Sequence, residues 1–558
     1  MTLDKVSGMP PSGNFKQLYH TSPMREGVLC WYPFTPGSSA LDLSGGALTD
    51  LLERHCAIVK NFEAPVEKKV DYIAVLDPED FSVEYLKGLR ARLNPNGRLL
   101  LAYENPFALR FWAGKKAPNT ERPYDTLFER GDSPLPSKAE MQIRLGLAGF
   151  GGQKWYYPLT DHWLTTEVYS DSFLPNEYLN QRFVPYIADD GFLQFDERSL
   201  YREVIRGGAF EFMCGAYLVE ARNCSEDKAS PVDYAAVTAY REPAKRFATT
   251  VRNDGTVHKA PLHPDGLEVL QRIHRNHDDL EKLGLDIVPM RIEGGTLVMP
   301  RLYFPTLWDY WVGKLSHGIL DENEMISHFD RIRSSIIKAS ANGKCYGELV
   351  PANCFFDEKN DRIIFFDQEF YWENYSPDIA LARALYSFHY SPVFHDDPRT
   401  EERLEHLKER YGLSAKWEEL INLVDGEMHK SVFGWQHEQY REMSNQAGGM
   451  ISERYAAVAR YIRFYQVPKK LCEIGVKNFC VYGFGKRGKS LRDVFEDWGI
   501  SGVTFIDQKF QNYPTLENSL ADGGYDAIIV SIFRGEEVVA WLRGKTQVPV
   551  YMLDELLG

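Results

Sequence analysis

The chain has 558 residues, with 64 Lys+Arg against 79 Asp+Glu and a formal net charge of −15. That acidity argues against the broad basic face that nucleic-acid binding needs, and no run of about 18 apolar residues exists to span a membrane. At roughly 150 residues per domain the length predicts three or four domains, and 44% apolar residues supply several packed cores.

The first thirty residues hold Asp4, Pro10, Pro11 and Glu26 and no apolar stretch, so no secretory signal is visible. Eight cysteines are spread without a Cys-x-x-Cys pair, which predicts a reducing, cytoplasmic setting and no structural zinc. Strand-like and helix-like segments alternate through residues 36–168 and again through 476–558, the pattern of parallel sheets covered by helices. The middle differs: residues 235–300 read as strands and turns, and residues 318–345 and 377–465 as mostly helical. Strands followed by helices predict two lobes. No obvious short repeat is present, which argues against a solenoid.

In chain order, Ser39–Leu43 reads as a strand running into Ser44-Gly45-Gly46 and a helix over 47–55. Glycines between a strand and a helix N-terminus let backbone amides meet a cofactor, or simply turn the chain. Asp71–Leu76 and Arg98–Tyr103 read as further strands. Around them stand Phe15-Lys16-Gln17-Leu18-Tyr19-His20, Trp31-Tyr32-Pro33-Phe34, Glu104-Asn105-Pro106-Phe107, Trp155-Tyr156-Tyr157-Pro158 and Val168-Tyr169-Ser170-Asp171. Together these resemble a bacterial family of class I S-adenosylmethionine-dependent methyltransferases that accompany surface-polysaccharide genes. The resemblance covers about residues 15–230 and implies S-adenosylmethionine held near Asp42, Ser44, Gly45 and Gly46. Asp42 and Asp71 are only 29 residues apart, too few for the two strands and two helices of a complete fold. The missing piece would carry the acid for the cofactor ribose, so a scaffold or docking role stands beside methyl transfer.

The strongest chemical signal lies at Tyr346-Gly347-Glu348-Leu349-Val350-Pro351-Ala352-Asn353, followed by the strand Arg362–Phe366 and Asp367-Gln368-Glu369. Phosphoryl transfer needs an acid near the acceptor hydroxyl, and an amide and a carboxylate to hold Mg²⁺ on ATP phosphates. Glu348 precedes Asn353 by five residues, and Asp367 follows Asn353 by fourteen. This pattern, with Glu369 and Asp378, resembles the aminoglycoside-phosphotransferase and lipopolysaccharide-kinase branch of kinase-like folds over about residues 235–400. The resemblance implies that Glu348 serves the acceptor, that Asn353 and Asp367 bind the metal, and that Asp378 supports the loop. It further implies that Lys259 grips phosphate with Glu268 as its partner, and that Leu297–Leu302 links the lobes beside adenine. Three positions depart from the family: Glu348 replaces Asp, Tyr346 replaces His, and Arg241-Glu242-Pro243-Ala244-Lys245 stands in place of a glycine-rich loop.

Near the C-terminus, the strand Lys477–Tyr482 runs into Gly483-Phe484-Gly485-Lys486-Arg487-Gly488 and a helix, with Asp507 closing the next strand. Gly-x-Gly-x-x-Gly between strand and helix is a dinucleotide fingerprint, with Asp507 near the ribose spacing. A tight strand–helix turn used for packing satisfies the same residues. The module resembles small nucleotide- or sugar-nucleotide-binding units attached to glycan-modifying enzymes.

The predicted fold class is multidomain α/β. It comprises a shortened methyltransferase-like Rossmann sheet (1–175), a connecting subdomain (176–232), a two-lobed kinase-like domain (233–468) and a small Rossmann-like domain (469–558). No Gly-x-Ser-x-Gly elbow, His-Glu-x-x-His or His/Cys cluster offers another chemistry. The expected function is ATP–Mg²⁺-dependent phosphorylation of a sugar hydroxyl in bacterial surface-glycan assembly. The alternatives are methylation of a glycan and a non-catalytic scaffold. Expected partners are a small-molecule or glycan substrate and proteins of glycan assembly, with oligomers allowed.

Overall fold

Apolar runs with a period of two form the strands of the N-terminal half and divide its core into two layers. β1 (Ser39–Leu43), β2 (Ala57–Val59), β3 (Val70–Leu76) and β4 (Leu93–Glu104) are parallel, in the order β2-β1-β3-β4. Leu41, Ile73, Val75, Leu99 and Leu101 enter one layer; Ala40, Tyr72, Ala74, Leu100 and Ala102 enter the other. Burial on both faces is what a parallel sheet covered by helices produces. Helix α1 (Thr49–His55) follows β1, and α2 (Val83–Ala91) follows β3. Ser82 caps α2 by accepting a hydrogen bond from the Tyr85 amide.

Beyond β4 the sheet turns antiparallel. β5 (Gly152–Leu159) and β6 (Glu167–Ser170) form a hairpin, and β7 (Ala216–Arg222) inserts between β4 and β5. β8 (Val232–Val237), β9 (Phe247–Arg252), β10 (Thr256–Pro261), β11 (Arg291–Glu293) and β12 (Thr296–Pro300) then continue the same sheet. Its order is β11-β12-β10-β9-β8-β6-β5-β7-β4-β3-β1-β2, twelve strands in all. The join is β6 to β8, with Glu167 opposite Ala236 and Val168 opposite Ala235. Residues 216–222, assigned by sequence to a connecting subdomain, supply an interior strand, and the boundary drawn at 232/233 falls at the start of β8. The physical reason is that β6 would otherwise present unpaired backbone groups, and β8 satisfies them.

After α3 (Gly266–Lys282), which lies between β10 and β11, the chain enters a helical lobe. It contains α4 (Leu307–Ser316), α5 (Glu322–Ala339), α6 (Asp378–Tyr386) and α7 (Trp417–Ser431). Trp311, Phe329, Ile332, Leu385 and Phe388 are fully buried in its core. Two small antiparallel pairs sit in this lobe: β13 (Lys344–Tyr346) with β16 (Tyr371–Glu373), and β14 (Cys354–Asp357) with β15 (Arg362–Phe365).

A second unit is a four-stranded parallel sheet in the order β18-β17-β19-β20. Its strands are β17 (Phe479–Tyr482), β18 (Thr504–Ile506), β19 (Ala527–Val530) and β20 (Val550–Met552), with α8 (Lys486–Asp497) after β17. The chain is thus a multidomain α/β protein. The computed structural model describes residues 23–59, 69–114, 127, 135–176, 197–224, 226, 228–390, 394, 397–431, 460, 463–507, 524–533 and 535–557. The sequence motif at residues 15–20 lies outside them. Among the described residues no helix is long and apolar enough to cross a membrane.

Candidate functional site

Lys259 sits on β10, the third strand of the β8–β12 portion, opposite Thr249 of β9 and Leu297 of β12. Its side chain is buried, and its ammonium lies 5.2 Å from the Phe247 ring centroid. Nζ donates to Asp367 Oδ1 at 2.5 Å and to Glu369 Oε1 at 2.6 Å. Burial alone would pull its pKa down, but the two carboxylates outweigh that and hold it above the usual lysine value. The residue is a fixed cation.

The residues expected on the acceptor side come from one loop. β13 delivers Gly347 and Glu348; a 3-10 turn over Pro351–Asn353 then leads into the β14–β15 hairpin. The Phe366 amide donates to the Asn353 carbonyl at 3.0 Å, which brings the hairpin's far end back beside the loop. Asp367 follows with φ of +55°, the left-handed region that non-glycine residues rarely adopt. Buried Gln368 ties the two segments together, its Nε2 donating to the carbonyls of Glu348 and Phe366, both at 2.8 Å. Strain held in place by such bonding is a recurrent mark of functional positions.

Glu348 accepts a hydrogen bond from Asn353 Nδ2 at 2.5 Å and one from Arg383 Nη2 at 3.2 Å. Burial pushes its carboxyl pKa up, and Arg383 pulls in the opposite direction without cancelling the shift. A carboxylate shifted upward is a stronger base, the direction that proton abstraction from a hydroxyl near neutral pH requires.

Helix α3 braces the Asp367 segment from behind. Arg272 Nε donates to the Glu369 carbonyl, Asn276 Nδ2 to the Gln368 carbonyl, and the Gln368 amide donates to His277 Nε2. Glu268, expected to partner Lys259, is instead exposed one turn before Arg272, and Asp367 and Glu369 take its place. Arg241, from the segment standing where a glycine-rich loop was sought, reaches Glu369 Oε2 at 3.4 Å. Asp378 bonds Ser376 and Lys416; the contact from α6 to the loop is made by Arg383. Sequence reading therefore missed Arg383 and Arg272; it placed Arg241 in the segment standing where a glycine-rich loop was sought, and read His277 as a surface or packing residue, which is how its burial leaves it. The one available signal was Arg383's position a turn and a half after Asp378.

The donor chemistry fits a hard divalent cation. Asn353 spends its NH₂ on Glu348, and its Oδ1 has no partner among the described residues. Asp367 gives Oδ1 to Lys259 while Oδ2 has none, and its side chain is 37% exposed. An amide oxygen and a carboxylate oxygen suit Mg²⁺, which keeps several waters or phosphates as its other ligands. Among the described residues no cluster of three or more His, Cys, Asp or Glu is arranged as an all-protein metal site.

The remaining candidates sit elsewhere. Asp42 Oδ1 accepts from the Ser44 amide and hydroxyl, and Oδ2 from Thr49 Oγ1. Gly45 and Gly46 form a left-handed turn into α1. Asp42 thus spends both oxygens on that turn. In the second unit the three glycines divide their labour. Gly483 turns with φ of +100°; a Cβ on Gly488 would lie 2.3 Å from the Gly483 carbonyl oxygen; and Gly485, next to the start of α8, has open space around it. These match a tight turn, close helix–strand packing and room for a pyrophosphate. Asp507, expected at a ribose, accepts the Phe484 amide at 2.6 Å and holds the loop.

No family model matches the chain, and no curated protein matches it. Among solved structures, the chain is similar to the PknI kinase domain of Mycobacterium tuberculosis. Identity is 14%, with 38% of this chain and 96% of that one covered and a TM-score of 0.23. It is also similar to the macrolide 2'-phosphotransferase MphH of Brachybacterium faecium. There identity is 12%, with 47% of this chain and 91% of that one covered and a TM-score of 0.17. At such TM-scores the assignment of chemistry rests on the geometry around Lys259, Glu348, Asn353 and Asp367.

Proposed function

We propose that the middle of the chain transfers a phosphoryl group from ATP to a hydroxyl. The observation that carries this reading is the convergence of Lys259 on Asp367 and Glu369, with Asn353 bonded to Glu348 on the facing loop. Lys259 holds phosphate oxygens once ATP competes for its ammonium. Asn353 Oδ1 and Asp367 Oδ2 would hold Mg²⁺, and the bound ion would supply neutralisation of charge on the transferring group. Glu348 accepts the acceptor's hydroxyl proton on a carboxylate oxygen as the new O–P bond forms and the bond to ADP breaks. Arg383 and Asn353 keep Glu348 in one orientation, the positioning on which rate depends. The acceptor class, a sugar hydroxyl in surface-glycan assembly, rests on the sequence resemblance alone.

The test is transfer of label from γ-labelled ATP to a glycan extract, with Asp367→Ala as the variant. Loss of ATP–Mg²⁺ binding in the variant supports the metal assignment, and unchanged affinity would falsify it. A second site is supported by the glycine loop of the second unit, where Gly485 and the start of α8 offer amides to a nucleotide phosphate. Methyl transfer by the N-terminal half is not favoured, because Asp42 is consumed in capping its own turn.

A further inference from the structure

Behind the Asp367 segment, between α3, β13 and β16, lies a cavity of about 360 Å³, within the range of small-molecule sites. Its wall is unusually cationic for a chain of net charge −15. Arg272, Arg275, Lys282 and Lys344 line it against two carboxylates, Asp278 and Asp279. Asp279 is taken by Lys344 at 2.8 Å, and Asp278 lies 3.3 Å from His274. Arg275 and Lys282 make no ion pair or hydrogen bond among the described residues. Arg272 spends only Nε, on the Glu369 carbonyl, leaving its two terminal nitrogens. The Tyr371 ring completes the wall, with Lys344 4.7 Å over its centroid.

We propose that this cavity binds a phosphate monoester, a small molecule with one phosphate group and an organic body. Three features point to that class. Arginine forks of the kind Arg272 and Arg275 carry match a tetrahedral oxyanion bidentately. The excess of two positive charges over the paired carboxylates suits a dianion. Tyr371, which lines the same cavity, supplies aromatic surface beside the anion for the ester's organic part. The cavity shares Arg272 with the brace on the Asp367 segment, but the proposal does not depend on the phosphoryl-transfer reading.

The experiment is titration calorimetry of the full chain, at constant ionic strength, with phenyl phosphate and with inorganic phosphate. Binding of phenyl phosphate that weakens roughly tenfold or more in the Arg275→Ala/Lys282→Ala double variant supports the site. Both side chains are exposed, so the variant keeps its fold, checked by circular dichroism. Absence of binding, or unchanged affinity in the variant, overturns it. So does loss of the signal in Lys486→Ala instead, which would place the anion at the glycine loop. Binding of inorganic phosphate alone overturns the monoester assignment.

Discussion

Protonating His277 should unfasten the segment that carries Asp367. The imidazole is 2% exposed, its Nε2 accepting from the Gln368 amide and its Nδ1 lying 3.2 Å from the Val288 carbonyl. Only the neutral ring protonated at Nδ1 satisfies both contacts; a proton on Nε2 would face the Gln368 N–H. Burial drives the pKa down from 6.5 to about 4, against the opposing pull of the Val288 carbonyl and Asp367. As pH falls below 6.5 the unfolded chain takes up this proton while the folded chain does not, so stability is lost from 6.5 down to about 4. At 1.36 kcal/mol per pKa unit the whole loss is about 3 kcal/mol, of which about 2 kcal/mol has accrued by pH 5. Urea unfolding of the wild type and of His277→Gln, followed by tryptophan fluorescence at pH 7.5 and pH 5, isolates this term from the other histidines. The wild type should lose about 2 kcal/mol more than the variant over that interval. Equal losses in the two proteins would refute the reasoning.

Arg383→Met removes the cation that opposes burial at Glu348, so the base's pKa rises further. The acidic limb of the pH–rate profile should move to higher pH, and a limb left in place would show that Glu348 is not the group titrating. Gly488→Ala puts a Cβ 2.3 Å from the Gly483 carbonyl oxygen and should destabilise the second unit by about 1–3 kcal/mol, read by chemical denaturation. Gly485→Ala, with open space around it, should leave that stability within about 1 kcal/mol of wild type.

The central site was legible in sequence where its parts are close along the chain. Glu348, Asn353 and Asp367 lie on one loop and one hairpin, so their spacing carries their geometry. Lys259 was legible because its strand begins right after the Asp254-Gly255 turn. Glu268 was misjudged in height rather than phase. It occupies the same stripe of α3 as Arg272 and Asn276, but a turn too early, and local sequence does not say which turn meets Asp367. Arg383 and His277 reach the loop and the Asp367 segment through tertiary packing alone. The same limit applies to the twelve-stranded sheet. Nothing in residues 167–170 or 232–237 taken singly says that they pair, because that register depends on chain segments more than sixty residues apart.

The continuous sheet has a mechanical consequence. A two-lobed transferase commonly opens and closes by rocking a small strand lobe over a heavier helical one. Here β8–β12 is hydrogen-bonded into seven further strands, so the strand lobe has the inertia of half the chain and no pivot of its own. In the proposed phosphoryl transfer, closure over a nucleotide would then be carried by the helical lobe moving at the linker between β12 and α4, against the side of Lys259. Segments that swing exchange their amide hydrogens faster than the platform they close on. The amides of Leu302, Tyr303 and Phe304, between the bonded ends at Arg301 and Pro305, should accordingly lose protection ahead of every strand of the sheet.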